Sequence, residues 1–306
     1  MPDIHSRLIS IQAFNGRLHK PFVHVPLARL QPVCIGSAAN NATENTGTGE
    51  TAMTEKPYTR IGTPTSNTKE FRMRGKDVLS EIVGVKSFSE TFYFIVTGRE
   101  LPANQVRTFD ACMVILMDHG LTPIALVSRM VHDSLPDDVQ LPMIAGSMMV
   151  GNKFAGTMAG AGAIYKEGAA YEGDKREWAQ GVVKRFREQK KFIPGYGHPY
   201  YFPTDPRADR MFQIAMEGGA TGTYIELAKI LGEEIAAARG KPLTLNVTGA
   251  LGAVLNEIDF PVEVMRAVAA VGRAAGVIGH IYEEMQNPIV PAVVDFINNI
   301  EYRDPD

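Results

Sequence analysis

Cysteine is nearly missing from this chain of 306 residues: Cys34 and Cys112 are the only two, far apart and without a CxxC pairing. Isolated thiols build neither a disulfide framework nor a cysteine-rich zinc site, and such sparing use fits a reducing cytoplasm. A charge excess is missing too. Lysine plus arginine number 31 and aspartate plus glutamate 34, a net charge of -3. No sequence-wide positive field therefore draws in nucleic acid or anionic lipid, and neither is an expected partner. Long uncharged apolar runs are absent as well. The stretch 143–165 comes nearest, but it holds Asn152 and Lys153 and is crowded with glycine and alanine, so it reads as a closely packed segment rather than a membrane span. Gly160-Ala161-Gly162 follows no strand and lacks the dinucleotide fingerprint, while GxSxG, P-loop and HExxH motifs do not occur. The histidines show no metal-ligand spacing, and no metal is expected.

What is present is a globular composition, 45% hydrophobic and 21% charged, over a length that suggests about two domains. Residues 1–52 have no sustained period, and 37–51 (SAANNATENTGTGET) is polar and of low complexity, so this stretch reads as a disordered extension. It lacks the charged-then-apolar layout of a secretory signal, and Met53 opens a more regular segment at which translation is expected to start. Beyond it the chain reads as helices joined by glycine and proline. Ser87-Phe88-Ser89-Glu90 has capping-box spacing before an apolar run that stops at Gly98. Pro102 stands where a first helical residue belongs, and Val106, Phe109, Met113 and Leu116 carry the next helix to Asp118-His119-Gly120. Further helices are predicted over 122–132, 139–151, 157–168, 175–190, 206–217, 221–238, 247–257 and 262–285, the last with an apolar stripe of Val264, Val268, Val271, Ala275, Ile278 and Tyr282. Strand-like alternation is confined to an ambiguous 243–247, so the expected class is all-α.

Three features carry chemistry. In Pro194-Gly195-Tyr196-Gly197-His198-Pro199 the glycines and prolines set His198 on a tight loop. Asp205-Pro206-Arg207 then reads as N-cap, first helical residue and first-turn arginine, so free amides, the positive dipole end and a guanidinium converge where a carboxylate would bind. The bland alternative is a constrained loop with Arg207 paired to Asp209. Arg266, Arg273 and His280 are spaced by seven on the 262–285 helix. Arg266 reads as a solvated face. Arg273 lies among Gly272, Ala274, Ala275 and Gly276, which let another segment approach, and a buried guanidinium needs an anion. His119, at a helix end, reads first as a cap and second as a ligand-holding residue. The basic run 184–191 reads as a solvated helix terminus, or else as attraction of a phosphorylated cofactor.

Taken in order, DHG, GNKFAGTMAGAG, PGYGHPYYFPTDPR, LNVTGALGAVLNEIDFP and VGRAAGVIGHIYEE resemble the citrate synthase superfamily over about residues 72–284, and are most similar to its citryl-CoA lyase branch, including the lyase module of ATP-citrate lyase. The resemblance implies an all-α fold in two parts, a large domain of 53–159 and 258–306 and a smaller one of 160–257 closing over the site. It implies a homodimer, an acyl-CoA and a small di- or tricarboxylate as ligands, and coenzyme A thioester as substrate with no permanently bound cofactor. His198 matches the histidine that moves the proton of the keto or hydroxyl oxygen. Arg207 and Arg273 match arginines that bind the dicarboxylate, His119 a histidine that helps to hold it, and Pro194, Gly195, Tyr196 and Gly197 a backbone segment along coenzyme A.

Three departures bear on activity. A thioester-binding histidine of the synthases falls here on Ala159, and the lyase branch lacks it too. The aspartate that exchanges the acyl-carbon proton in both branches falls on Thr248, which is no general base near neutral pH. An arginine lent by a second subunit is replaced by Gln286-Asn287-Pro288. The expectation is reversible cleavage of citryl-CoA, or a related 3-hydroxy-3-carboxyacyl-CoA, to acetyl-CoA and oxaloacetate, with His198 and Thr248 as catalytic candidates. The alternatives are a citrate or 2-methylcitrate synthase and a non-catalytic carboxylate or acyl-CoA binding protein.

Overall fold

The structure, a computed structural model, describes residues 57–151 and 156–305. The expectations for residues 1–52 and for Met53, and residues 152–155 of the GNKFAGTM motif, lie outside the described residues. Eleven α-helices follow one another there, and the class is all-α as expected.

A two-residue turn opens the described chain. Arg74 and Gly75 both have positive φ, as a tight hairpin turn demands, and pair β1 (Arg72–Met73) with β2 (Lys76–Asp77). This hairpin was not anticipated, because strands of two residues leave no alternating pattern. The Arg74 guanidinium donates to the carbonyls of Ile95 and Val96, the open end of α1 (Phe88–Thr97), which is capped at its start by the predicted Ser87–Glu90 box and ended by left-handed Gly98. The chain continues through α2 (Ala103–Met117), α3 (Pro123–Ser134), α4 (Gln140–Met148), α5 (Thr157–Ala170) and α6 (Lys175–Glu188). Then come α7 (Pro206–Glu217), α8 (Thr223–Arg239), α9 (Val247–Glu257), a 3-10 turn at Val262–Val264, α10 (Met265–Gln286) and α11 (Val290–Asn298). Pro102 is the N-cap of α2 rather than its first residue, and α11 was not predicted.

The core centres on α9, where residues 249–256 are all buried against α5, α7 and α8. Glycine makes this possible: a Cβ on Gly252 would stand 2.7 Å from the Met158 carbonyl oxygen and 2.8 Å from the Gly162 nitrogen. A second close approach docks α10 on α2. A Cβ on Gly272 would meet the Met113 carbonyl oxygen at 2.6 Å, and one on Gly276 would collide with that of Met117. The anticipated small-residue contact around Arg273 is therefore real, and its partner is the end of α2.

This docking also corrects the predicted stripe. Residues 265, 268, 269, 272, 273, 277, 281 and 284 are the buried ones, whereas Ile278 is 45% and Tyr282 60% exposed. Backbone approach at two glycines, and buried polar groups at Arg273 and Glu284, rotate the helix away from the face an apolar count selects. By length and composition alone 262–286 is also long and apolar enough to cross a membrane, yet it packs on α2, α3 and α4 with Arg273 and Glu284 buried, as a core helix does.

Gly276→Ala is expected to destabilise the protein by about 1–3 kcal/mol through this overlap. Gly279→Ala, whose added methyl meets nothing within 4 Å, should be neutral or stabilising by up to about 1 kcal/mol. Urea denaturation of both variants checks the contrast.

Candidate active site

Four pieces of chain meet: the turn after α2, the loop 194–205, the N-terminus of α9 and the middle of α10. The loop is seated by two glycines. Gly195, with φ of +87°, presses on Gly249 so closely that a Cβ would stand 2.6 Å from the Gly249 Cα. The ambiguous 243–247 stretch supplies the second hold, a single antiparallel bridge of Tyr196 with Leu245, in which the Gly197 N–H donates to Thr244 O and the Asn246 N–H to Gly195 O. Tyr196 is buried, its hydroxyl donating to Ala228 O at 2.6 Å, so its side chain anchors the loop to α8.

At the end of this loop Asp205, 1% exposed, holds Arg207 side-on. Its two oxygens accept from Nε and Nη2 of Arg207, each at 2.9 Å, and also from the backbone N–H groups of Arg207 and Val247. The predicted N-cap of α7 thus also takes the first N–H of α9, whose own N-cap is Asn246, and the sequence does not show this second bond because Val247 is 42 residues away. The suggested Arg207–Asp209 pair is not formed; Asp205 takes that place. Tyr201, also missed, lies 4.7 Å from the Arg207 guanidinium carbon and 4.7 Å from the His198 ring, a cation–π support on one face.

The other face of Arg207 meets both histidines. Nη2 is 3.2 Å from His198 Nε2 and Nη1 is 3.3 Å from His119 Nδ1, with the two imidazoles 6.4 Å apart. His198 Nδ1 accepts from the backbone N–H groups of Tyr200 and Tyr201, at 3.1 and 3.0 Å, so the hydrogen-bond pattern places the neutral ring's proton on Nε2. Nε2–H and the guanidinium are then two donors facing each other, an arrangement that an anion between them satisfies. Burial and then Arg207 lower the pKa of His198; burial, Arg207 and Arg273 lower that of His119.

Arg273 is the plainest signal. It is 9% exposed and, among the described residues, forms no hydrogen bond or ion pair. Burial lowers its pKa, with Asp118 opposing. A buried guanidinium in want of a partner, close enough to His119 to lower its pKa as Arg207 does, is suited to a carboxylate. Arg266, by contrast, is exposed.

Thr248 lies in the first turn of α9. It donates to Asn246 Oδ1 at 2.7 Å and meets the hydroxyl of Thr157 at 2.6 Å, while Asn246 Nδ2 donates to Gly197 O. With the Thr248 proton given to Asn246, Thr157 supplies the proton between the two hydroxyls. Ala159 lies two residues on in the first turn of α5. In the basic run, Arg185 is held bidentately by Glu167 at 2.9 and 2.8 Å. Among the described residues no three or more His, Cys, Asp and Glu side chains gather as metal binding requires.

The citrate synthase, C-terminal domain, family pattern matches residues 24–291. Citrate synthase of Haloferax volcanii is 24% identical over 199 residues, 64% of this chain and 51% of that protein, so the chain spans about half the length of this relative. Among solved structures, citryl-CoA lyase from Hydrogenobacter thermophilus is 30% identical with a TM-score of 0.73, over 82% of this chain and 96% of that one. ATP citrate lyase from Methanothrix soehngenii, solved with citrate and coenzyme A, gives 0.63 at 19% identity over 89% of this chain and 47% of that one, a likeness of fold alone.

Asp205→Asn leaves Arg207 without its counter-charge and weakens both the α7 cap and the bond to the first N–H of α9. It is expected to cost about 3–5 kcal/mol of stability, read as a lowered urea midpoint, with loss of carboxylate binding at temperatures where the variant remains folded.

Proposed function

We propose, for a chain that belongs to the citrate synthase family, a citryl-CoA lyase-like activity: reversible retro-aldol cleavage of citryl-CoA, or a related 3-hydroxy-3-carboxyacyl-CoA, to acetyl-CoA and oxaloacetate. The carrying observation is the buried Arg273 guanidinium, without a hydrogen bond or ion pair among the described residues, which acts together with Arg207 on His119, while Arg207 joins His119 to His198. Two guanidinium groups against the enclosed Asp205 carboxylate leave a positive charge over, which a ligand carboxylate would offset. The lyase reading draws on the citryl-CoA lyase match, which extends over nearly the whole of that chain, and on Ala159, where a synthase would carry its thioester-binding histidine.

In this reading Arg207, Arg273 and His119 orient the carboxylates and His198 carries the proton of the hydroxyl oxygen. The tautomer with Nε2 protonated belongs to the keto-acid end of the reaction: Nε2–H polarises the carbonyl of oxaloacetate and delivers its proton as the carbon–carbon bond forms, while Nε2 takes a replacement from solvent so that the ring ends neutral. In cleavage the relay runs in reverse: the hydroxyl proton passes to Nε2 as Nε2 releases its own to solvent, and the bond breaks to a carbonyl and a thioester enolate. The backbone of 194–197 runs along coenzyme A. Thr248, its own proton engaged by Asn246, positions the water that protonates the enolate carbon. The Thr157–Thr248–Asn246 chain contains no carboxylate, and that favours a second reading, a carboxylate or acyl-CoA binding protein without turnover.

Incubation with citryl-CoA, coupled to malate dehydrogenase and assayed in parallel for free coenzyme A, separates the readings. Oxaloacetate without coenzyme A release is the expected result. Free coenzyme A from acetyl-CoA and oxaloacetate selects a synthase, and calorimetric binding with no turnover selects the binding protein. His198→Ala should lower kcat by about 10²–10⁴-fold while leaving carboxylate affinity nearly unchanged.

A homodimer through α4 and α10 is part of the proposal. These helices pack together, and their outer side chains Leu141, Ile144, Met148, Ile278, Tyr282 and Met285 make an exposed apolar face. The smaller part, 160–257, is proposed to close over the site. Sedimentation equilibrium should show a dimer for the parent and a shift to monomer for Ile144→Glu/Ile278→Glu. A monomeric parent refutes the dimer.

A further inference from the structure

His280 was noticed in the sequence only for its spacing. In the fold it sits seven residues, two helical turns, beyond Arg273 on the same side of α10 and is mostly buried, with 16% of its side chain exposed. Both ring nitrogens are used. Arg129 Nη2 on α3 donates to Nδ1 at 3.1 Å, which leaves the proton on Nε2, and Nε2–H donates to Asp118 Oδ1 at 2.9 Å. Arg129 is itself fixed: 3% exposed, it donates to Glu284 at 3.1 Å and also to Glu283. Glu284 in turn caps α11 by accepting from the N–H groups of Ile289 and Val290. The line runs from the start of α11 through Glu284, Arg129 and His280 to Asp118.

Asp118 is where this line meets the site. Its second oxygen accepts from the Gly120 N–H at 2.8 Å, closing the turn that carries His119 between them. Partial burial opposes ionisation, yet the Gly120 N–H and His280 hold its pKa below the usual carboxylate value. It is also the negative charge that both Arg273 and His119 feel. We propose that His280 is a positioning residue: by holding Asp118, in an orientation set by Arg129, it fixes the turn that presents His119 beside Arg207 and keeps a negative charge within electrostatic reach of Arg273. His280 does not touch the ligand. The proposal rests on His119 and Arg273 forming an anion site, not on citryl-CoA being the substrate.

The test compares the full chain with His280→Ala and His280→Gln, whose amide N–H reaches where Nε2–H does. Two readouts are taken: the Kd of oxaloacetate by calorimetry, and the titration of the His119 ring by ¹⁵N-edited NMR, whose charged neighbours are Arg207, Arg273, Asp118 and Asp205 with His198 opposite. His280→Ala should weaken oxaloacetate about tenfold and displace the His119 titration, and His280→Gln should restore both to within about twofold, at matched melting temperature. Unchanged affinity and titration in His280→Ala overturn the proposal, as does failure of His280→Gln to restore either. If His280→Ala does not fold, Asp118→Asn, which keeps the size and removes the charge, must produce the same displacement. If the parent binds no oxaloacetate, the anion-site reading fails, and the His119 titration alone still decides whether His280 positions the turn.

Discussion

The Asp205 carboxylate is fully enclosed and accepts four hydrogen bonds: two from the side chain of Arg207, one from that residue's backbone and one from Val247. Two helix N-termini and a guanidinium all bring positive charge to one point, and none of them stays there without an anion. Burial alone would raise the Asp205 pKa. Arg207 and the two helix starts overcome it and hold the carboxyl ionised. With Asp205 committed to Arg207, the opposite charge that acts on Arg273 among the described residues is Asp118. The affinity of the site for anions is therefore a consequence of how one internal charge was spent.

Geometry at this scale is set by backbone meeting backbone. Gly195 against Gly249 puts the His198 loop on the start of α9, and Gly272 and Gly276 against the last turn of α2 put Arg273 beside the His119 turn. A methyl at any of these four positions overlaps main chain rather than a movable side chain. The residues that touch a ligand are polar and few, while those that fix their separations are glycines with no chemistry of their own.

That division explains what could be read in advance. Helix ends were legible wherever a local device marks them, as at Ser87 and Gly98 or at Asp205 and Pro206, because capping acts over three or four residues. His119, His198, Arg207 and Arg273 stood out by residue type and neighbours, and three of the four lie in mutual reach. The rotation of α10, the bond from Asp205 to Val247, the Tyr201 face under Arg207 and the Arg129–His280–Asp118 line were not legible. Each joins segments remote in the chain except for Tyr201, whose stacking depends on the path of a loop. A periodicity that counts apolar residues also has no means of favouring a stripe with arginine and glutamate inside it.

Burial and the crowding of cations together set the protonation of the site. Each histidine is pushed below its ordinary value, first by burial and then by Arg207, so near neutral pH both rings are neutral and act as oriented hydrogen-bonding groups rather than charges. An arriving dicarboxylate offsets the guanidinium charge that depressed them, and their pKa values rise. Binding is thereby coupled to proton uptake, and affinity weakens as pH rises through the values of the occupied site. The site does not need a histidine charged beforehand. The anion itself makes His198 a better holder of the proton that the oxygen end of the proposed reaction gives up, so binding and proton transfer draw on the same electrostatic imbalance that Asp205 leaves behind.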